Sequence, residues 1–444
     1  MSAFVLSLLC VAAVAAVASA FGWAASRAAC PPGREFRAER LAWAWAIGAA
    51  LISGLVPACF LAGVEPGWGA FVLLGVLAAA AGWVLRVPEP AGPPRPFDAE
   101  RLRPATIACG ALVALGVALY LVRALTEPMW SNDYIAIWGL KGKTIHAAGA
   151  LPRHLYADPA FAYSHPEYPL GLPFFYAGVA FLTGRWDDHS MALVFPIFQV
   201  ATLFGLFGWL RRHGASRAVA GLAAAILACF EPLYSAFLTG MADVPLSLGL
   251  LLFGSALSDA IERDAGALRR LAFAAGLMTA TKNEGLFFAA VGCLLALVFG
   301  GARRWRCAFA SLPTALLVQA AHTLWRGRVP LRDFDFSIFS IDRLGEALGT
   351  AVRLPGAVGW AQLLLVGVLV AAGARAPESR WMLGLCAFGI AAYLLFPVFA
   401  IRGTEWLVRT SLPRTSSGLA PLLATAVAMR YASAPSASVE QTDP

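Results

Sequence analysis

Charge is what this sequence has least of. Only 14% of its 444 residues are Asp, Glu, Lys or Arg, whereas soluble domains carry about 25%, and 59% are hydrophobic. Lysine is almost absent, with Lys141, Lys143 and Lys282 the full set. By length alone the chain has room for about three soluble domains, but no soluble-type segment longer than a loop interrupts the apolar runs. The eight cysteines show no CxxC pair and no Cys/His ligand spacing. Cys10, Cys59, Cys109, Cys229, Cys293 and Cys386 lie inside apolar runs, where a thiol behaves as a small hydrophobe. Neither a disulfide framework nor a zinc site is supported. There is no Walker A loop and no Gly-rich dinucleotide fingerprint, which disfavours a nucleotide-dependent catalytic domain.

What is present is a series of apolar blocks of about 15 to 23 residues, each long enough to cross a bilayer core of about 30 Å. Mean hydropathy is +0.69. The expected fold class is an all-α polytopic integral membrane protein with about 13 transmembrane helices and a large first outer loop carrying short interfacial helices. The net charge of +8 reflects arginine clusters between blocks, as the positive-inside rule requires, so nucleic acid is not an expected partner. The first block, Ala3 to Ala25, is followed by Arg27, Arg34, Arg37 and Arg40 with no basic residue before it, so it reads as an uncleaved anchor whose N-terminus lies outside. Parity then puts the Pro-rich linker Arg86 to Pro104 inside and the stretch after Thr106–Leu125 outside. Leu170 to Thr183 is short and contains Pro173. Treating it as interfacial or re-entrant places Arg211, Arg212, His213 and Arg217 inside.

The resulting organisation is one membrane-embedded domain over 1–432, with an outer loop and interfacial segment at 127–189, a second outer loop at 326–355 and a disordered Ser/Ala/Pro-rich tail at 433–444. All three lysines, with Arg153, Arg326, Arg328, Arg332, Arg343, Arg353, Arg402, Arg409 and Arg414, fall on the outer face against the usual bias. Cations kept there invite an anionic ligand, and phosphate at the membrane surface is the natural one.

Four strings follow one another on that face: WSNDYIAIWGLKGK (Trp130 to Lys143), HPEYPLGLP (His165 to Pro173), GMADVPLSL (Gly240 to Leu248) and TATKNEGL (Thr279 to Leu286). In this order they resemble the GT-C superfamily of membrane glycosyltransferases, which includes protein O-mannosyltransferases and the lipid A aminoarabinose transferase. The likeness covers roughly Glu127 to Phe299. It implies transfer of a sugar, hexosyl or pentosyl, from a polyprenyl-phosphate donor to an acceptor hydroxyl on a glycan, lipid or protein. An acidic residue of the first outer loop would be the base, and the site would face the exterior or periplasm of a bacterial inner membrane. The later string WLVRTSLPRTSSGLAPLL (Trp406 to Leu423) resembles the last outer loop and helix of some relatives, where an arginine lies near the carrier, but Pro413 before Arg414 departs from that pattern.

The residues themselves agree with this chemistry. A sugar on a lipid phosphate already has an anionic leaving group, so one base and several cations suffice, without the paired carboxyls of glycoside hydrolysis. Asp133, flanked by Trp130 and Tyr134, is the expected base in an inverting transfer, with a pKa raised by partial desolvation; the lesser reading is an N-cap for a helix beginning near Tyr134, and the residue could serve as both. On that helix Tyr134, Trp138, Lys141 and Ile145 share a face, and Lys143 does not. Lys141, Lys282, Arg409 and Arg414 are the candidates for the donor phosphate and carrier. Trp130, Tyr134, Trp138, His165, Glu167, Tyr168, Asp243, Asn283 and Glu284 are candidates for substrate contact. His165 and Glu167 stand as sugar or metal ligands or as part of a plain turn; two ligands do not make a metal site, and no cofactor is otherwise implied beyond a divalent metal left open. Asp243 before Pro245 reads as an N-cap. Lys282, between two apolar runs, reads as a phosphate contact with Glu284 as its partner, or as half of an internal ion pair. The competing classes are a lipid-linked-sugar flippase, which should show internal repeats and polar residues near the midplane, and a non-catalytic membrane scaffold.

Overall fold

The computed structural model describes residues 2–31, 37–88, 103–152, 158–262, 266–326, 340–353, 380–399 and 403–432. The linker from residue 89, Arg153, Arg328, Arg332, Arg402, the expected span Gly356 to Ala374 and the tail from Ser433 lie outside the described residues. Within them the chain is all-helical. The helices are α1 Ala3–Ala25, α2 Arg37–Ala62, α3 Trp68–Val84, α4 Pro104–Thr126, α5 Gly139–Ala148, α6 Gly171–Thr183, α7 Asp188–Met191, α8 Val194–Arg212, α9 Arg217–Ala228, α10 Asp243–Ile261, α11 Ala267–Thr281, α12 Asn283–Phe299, α13 Arg304–Arg326, α14 Ile341–Arg353, α15 Arg380–Leu395, α16 Thr404–Ser417 and α17 Ala420–Ala432. Among the described residues, six helical stretches are long and apolar enough to cross a membrane, and six shorter apolar helices accompany them. This is an integral membrane protein.

Close crossings of small residues assemble the bundle. A Cβ on Gly22 of α1 would meet the Ala44 carbonyl oxygen at 2.0 Å, and one on Gly48 of α2 would meet that of Ala18 at 2.5 Å. With lipid as solvent, such small-xxx-small stripes let backbones approach and gain dispersion contacts.

The two ends of the bundle differ. At one end an ion network joins α2, α8, α10 and α11 through Glu39, Arg212, Asp259 and Arg270. At the other lie residues 127–152 and 158–170, where Lys141 bonds the His165 carbonyl and the Leu170 amide bonds His322 near the end of α13. α6 is nearly all buried, yet with 13 residues it reaches only about 20 Å. Both of its ends stay at the second end of the bundle. The carbonyl of Gly171 accepts from Ser53, and the amide of Leu170 donates to Nδ1 of His322 near the end of α13; at the other terminus Trp68, at the start of α3, donates to the Leu182 carbonyl. The helix therefore returns the chain to the end it left, and α8 then carries Arg212 to the opposite one.

Three expectations change. The Val219 to Leu238 run is not one helix: α9 stops at Ala228, where Glu231 and Pro232 follow. Glu231 makes an exposed pair with Arg123 at 3.6 Å. Where the resemblance of Trp406 to Leu423 implies an outer loop before the last helix, α16 runs from Thr404 through Pro413 to Ser417. The helix expected near Tyr134 opens as a π-turn over Tyr134–Trp138 before α5, a local widening that is frequent at functional sites.

Candidate active site

Asp133 does not cap its helix. It has helical dihedrals and makes no side-chain cap bond, and Ser131 accepts the Tyr134 amide instead at 3.3 Å. The Asp133 carboxylate is thereby left for another partner. It receives Nη1 of Arg414 at 2.6 Å, a contact spanning 281 residues of sequence, and its side chain remains 28% exposed.

Asp243 is likewise not a cap. It is the first residue of α10, and its carboxylate accepts from Nζ of Lys282 at 3.2 Å and lies 3.8 Å from Nε of Arg414. Lys282 sits in the one-residue break between α11 and α12, 3% exposed, with Glu284 at 2.8 Å on its other side. The Glu284 pairing was expected and Asp243 is the added partner. Asp133, Arg414, Asp243, Lys282 and Glu284 thus form one chain of contacts. Burial disfavours both cations, but the carboxylates outweigh it. Asp243 and then Asp133 hold Arg414 above the ordinary arginine value, and Asp243 and then Glu284 do the same for Lys282.

A wall of rings stands beside the ions. Trp138 stacks on Tyr168 at 5.2 Å with planes 5° apart, and His165 stacks on Tyr168 at 5.0 Å. Desolvation, then the charges of Glu284, Asp133 and Glu167, push the Tyr168 phenol well above its ordinary pKa, so it faces the acids protonated. His165 is the one non-glycine among the described residues with a positive φ, 50°, a conformation that costs of order 1 kcal/mol or more. Its ring nitrogen is 2.9 Å from Glu167, and its carbonyl accepts from the fully buried Lys141 at 2.6 Å. Asn283 reaches the Glu167 carbonyl at 3.5 Å. The Tyr134, Trp138, Lys141 and Ile145 stripe is buried and Lys143 is exposed. Lys141 meets the site by holding His165.

The remaining candidates lie further out. Trp130 is 45% exposed, bonded to Glu127 and edge-on to Phe237. Arg409 pairs with Glu405 on the exposed face of α16 at 2.7 Å. Tyr134 is buried and donates to Asp188, which also accepts from Trp186. Gly240, at φ 93°, lies against the Tyr134 ring, where a Cβ would come within 2.8 Å, and its carbonyl accepts from Tyr176. Among the described residues, no group of three or more His, Cys, Asp or Glu side chains is arranged to hold a metal ion.

Residues 164–325 match the family model of dolichyl-phosphate-mannose-protein mannosyltransferases. Over that segment the chain is similar to GT-C-type enzymes. The matched segment holds His165, Glu167, Tyr168, Asp243, Lys282 and Glu284, while Asp133 and Arg414 approach from either side of it in sequence. No curated protein and no solved structure gives a significant match. At the coarse level, the match supports a membrane glycosyltransferase that works from a lipid-linked sugar.

The sequence reading missed Asp188, Ser131 and Tyr393. Tyr393 on α15 lies in the field of Glu284 and Asp243. It also missed the network at the far end. There Asp259 is fully buried and receives Arg212 at 2.5 Å, Arg270 at 2.8 Å and Trp209 at 3.1 Å, with His213 at 3.3 Å. A lone acid inside an apolar run was the available signal, because charge near hydrocarbon persists when it is paired.

Proposed function

We propose that this protein is an inverting glycosyltransferase that moves a sugar from a polyprenyl-phosphate carrier to an acceptor hydroxyl, with Asp133 as general base and the site on the outer face of a bacterial inner membrane. The observation that carries the reading is the contact between Asp133 and Arg414. It joins a candidate base and a candidate phosphate ligand beside a second cation, Lys282, under an aromatic wall suited to a sugar face.

The charges suggest how the step is coupled. Two cations, Lys282 and Arg414, serve three carboxylates: Asp133, Asp243 and Glu284. A donor phosphate entering beside Arg414 competes with Asp133 for the guanidinium, whose planar fork suits phosphate oxygens. Asp133, once released, takes the proton of the acceptor O–H as that oxygen forms its bond to C1. The C1–O(phosphate) bond breaks on the opposite face, and polyprenyl phosphate leaves with the electron pair. Neutralising Asp133 removes a negative charge as another develops on the leaving group, which Arg414, backed by Lys282, stabilises. Lys141 contributes by fixing the His165 turn.

The test is transfer by purified protein from radiolabelled polyprenyl-phosphate sugars, hexose and pentose, into total membrane extract. Wild type should form product, and a folded Asp133→Asn protein should lose about 10²- to 10⁴-fold in rate. Full activity in that variant would refute the assignment.

A further inference from the structure

Two apolar grooves flank the ion chain, and one donor tail fills only one of them. The first, about 560 Å³, runs between α9, α15 and α17, lined by Leu222, Ile226, Ile390, Leu419 and Leu423. Its head is Ser416, two residues from Arg414. The second, about 470 Å³, lies between α2 and α13 on a floor of α6 and α11, lined by Ala50, Pro57, Ala272, Leu277 and Val318. Its head is formed by Ser53, Gly171, Thr281 and His322, and Thr281 precedes Lys282. Asp243 touches both cations, so it stands between the two heads.

Resting on the glycosyltransferase reading, we propose that the acceptor is itself a lipid, its hydrocarbon chain lying in the α2–α13 groove while the donor's isoprenoid tail lies in the α9–α17 groove. Both volumes fall in the range of about 300 to 1,000 Å³ typical of small-molecule sites. The first head offers a guanidinium, which suits a phosphate. The second offers hydroxyls and an imidazole: Ser53 donates to the Gly171 carbonyl and Nδ1 of His322 accepts the Leu170 amide. Those two contacts pin the start of α6, directly after the Tyr168 turn. A headgroup seated there lies beside the turn that carries Tyr168 of the aromatic wall. Walls of Ala, Pro, Leu and Val hold a chain by burial alone, which a soluble glycan or an unmodified peptide cannot use.

The test uses full-length protein in vesicles of native total lipid extract, with labelled polyprenyl-phosphate sugars as donors. Product is partitioned into organic-soluble lipid, protein and water-soluble glycan. The proposal expects label in a new organic-soluble lipid that survives the mild acid that cleaves polyprenyl-phosphate sugars. Ala272→Trp on the groove floor and, independently, Ala50→Phe on its wall should each raise the apparent KM for the lipid fraction about 30-fold, the effect of displacing two or three methylenes from apolar contact. Release of donor sugar to water by the same proteins should stay within about twofold, which also shows that they are folded. Ala424→Phe in the other groove should do the reverse, weakening donor use. Label in protein or soluble glycan alone overturns the lipid acceptor but leaves the glycosyltransferase reading intact. Lipid transfer unaffected by either α2–α13 variant overturns the groove assignment. Wild-type protein that turns over no donor overturns both readings.

Discussion

Replacing Lys282 by Met should separate what holds the site together from what makes it work. Its ammonium lies 3.2 Å from Asp243 and 2.8 Å from Glu284, and Lys282 and Asp243 are each 3% exposed. At an effective dielectric constant of about 20, unit charges at 3.2 Å attract by about 5 kcal/mol. Breaking a buried pair from one side typically costs about 3–5 kcal/mol because the surviving charge is stranded. Arg414, 3.8 Å from the other Asp243 oxygen, absorbs part of that, so Lys282→Met should cost about 3 kcal/mol. Asp243→Asn leaves Lys282 its Glu284 partner and should cost about 1–2 kcal/mol. If the costs were independent, the double variant would lose about 4–5 kcal/mol; with the pair removed whole it should lose about 1–2, a coupling of about 3 kcal/mol. Unfolding by SDS in mixed micelles measures all four proteins. Sugar transfer is measured beside it, and here the double variant should stay as inactive as Lys282→Met, because a restored fold does not restore a cation for the leaving phosphate. Additive stabilities would refute the buried-pair argument. Recovered transfer in the double variant would refute the role of Lys282 in the phosphate site.

Other expectations follow from the same geometry. Asp133→Asn should abolish transfer yet tighten binding of polyprenyl phosphate by about five- to tenfold, since Arg414 no longer bonds a carboxylate; a titration of the purified variant checks this. Gly240→Ala, at φ 93° and against the Tyr134 ring, should cost about 1–3 kcal/mol and displace Tyr134, seen as lowered stability together with lowered transfer. At the far end, desolvation pulls the His213 pKa down, but bonds to Asp259 and Glu262 more than reverse this and raise it to about 9. A folded value above the unfolded one means stabilisation fully present below about pH 6.5 and lost as pH rises through about 9, on the order of 3 kcal/mol over that window. The wild type should weaken accordingly between pH 7 and 10, and His213→Asn should flatten the decline.

Much of the site was legible because its members sit in short polar strings between apolar runs, where few explanations other than pairing or function survive. Lys282 with Glu284 is the clearest instance. Local chemistry misled where a residue satisfied a common rule: Asp133 and Asp243 both stand where an N-cap is wanted, and both have side chains turned to cations far away in sequence. The contact of Asp133 with Arg414 crosses 281 residues, and no periodicity encodes that. The span pattern was readable from hydropathy, and the shortness of α6 signalled its return to the same end. The π-turn at Tyr134 and the helix through Pro413 were not, since tertiary packing sets them against local propensity.

One helix ties the two polar ends together. α10 begins at Asp243 and carries Asp259 near its other end, about 24 Å away. Around Asp259 the partners are the buried Arg270 and the half-buried Arg212 and His213, and Trp209 donates to it as well. With Glu39 on Arg212 and Glu262 on His213 the network is matched in charge, and no incoming ion has a reason to open it. Around Asp243 the carboxylates outnumber the cations, the key contact is 28% exposed on the Asp133 side, and a strained His165 and a π-turn border it. On the proposed mechanism the site exchanges a carboxylate for a phosphate at Arg414 in every cycle, which is incompatible with serving as the bundle's clamp. The chain places the clamp at one end of α10 and the exchangeable ions at the other, so disrupting Asp259 should lower stability, with transfer falling only as the folded fraction falls.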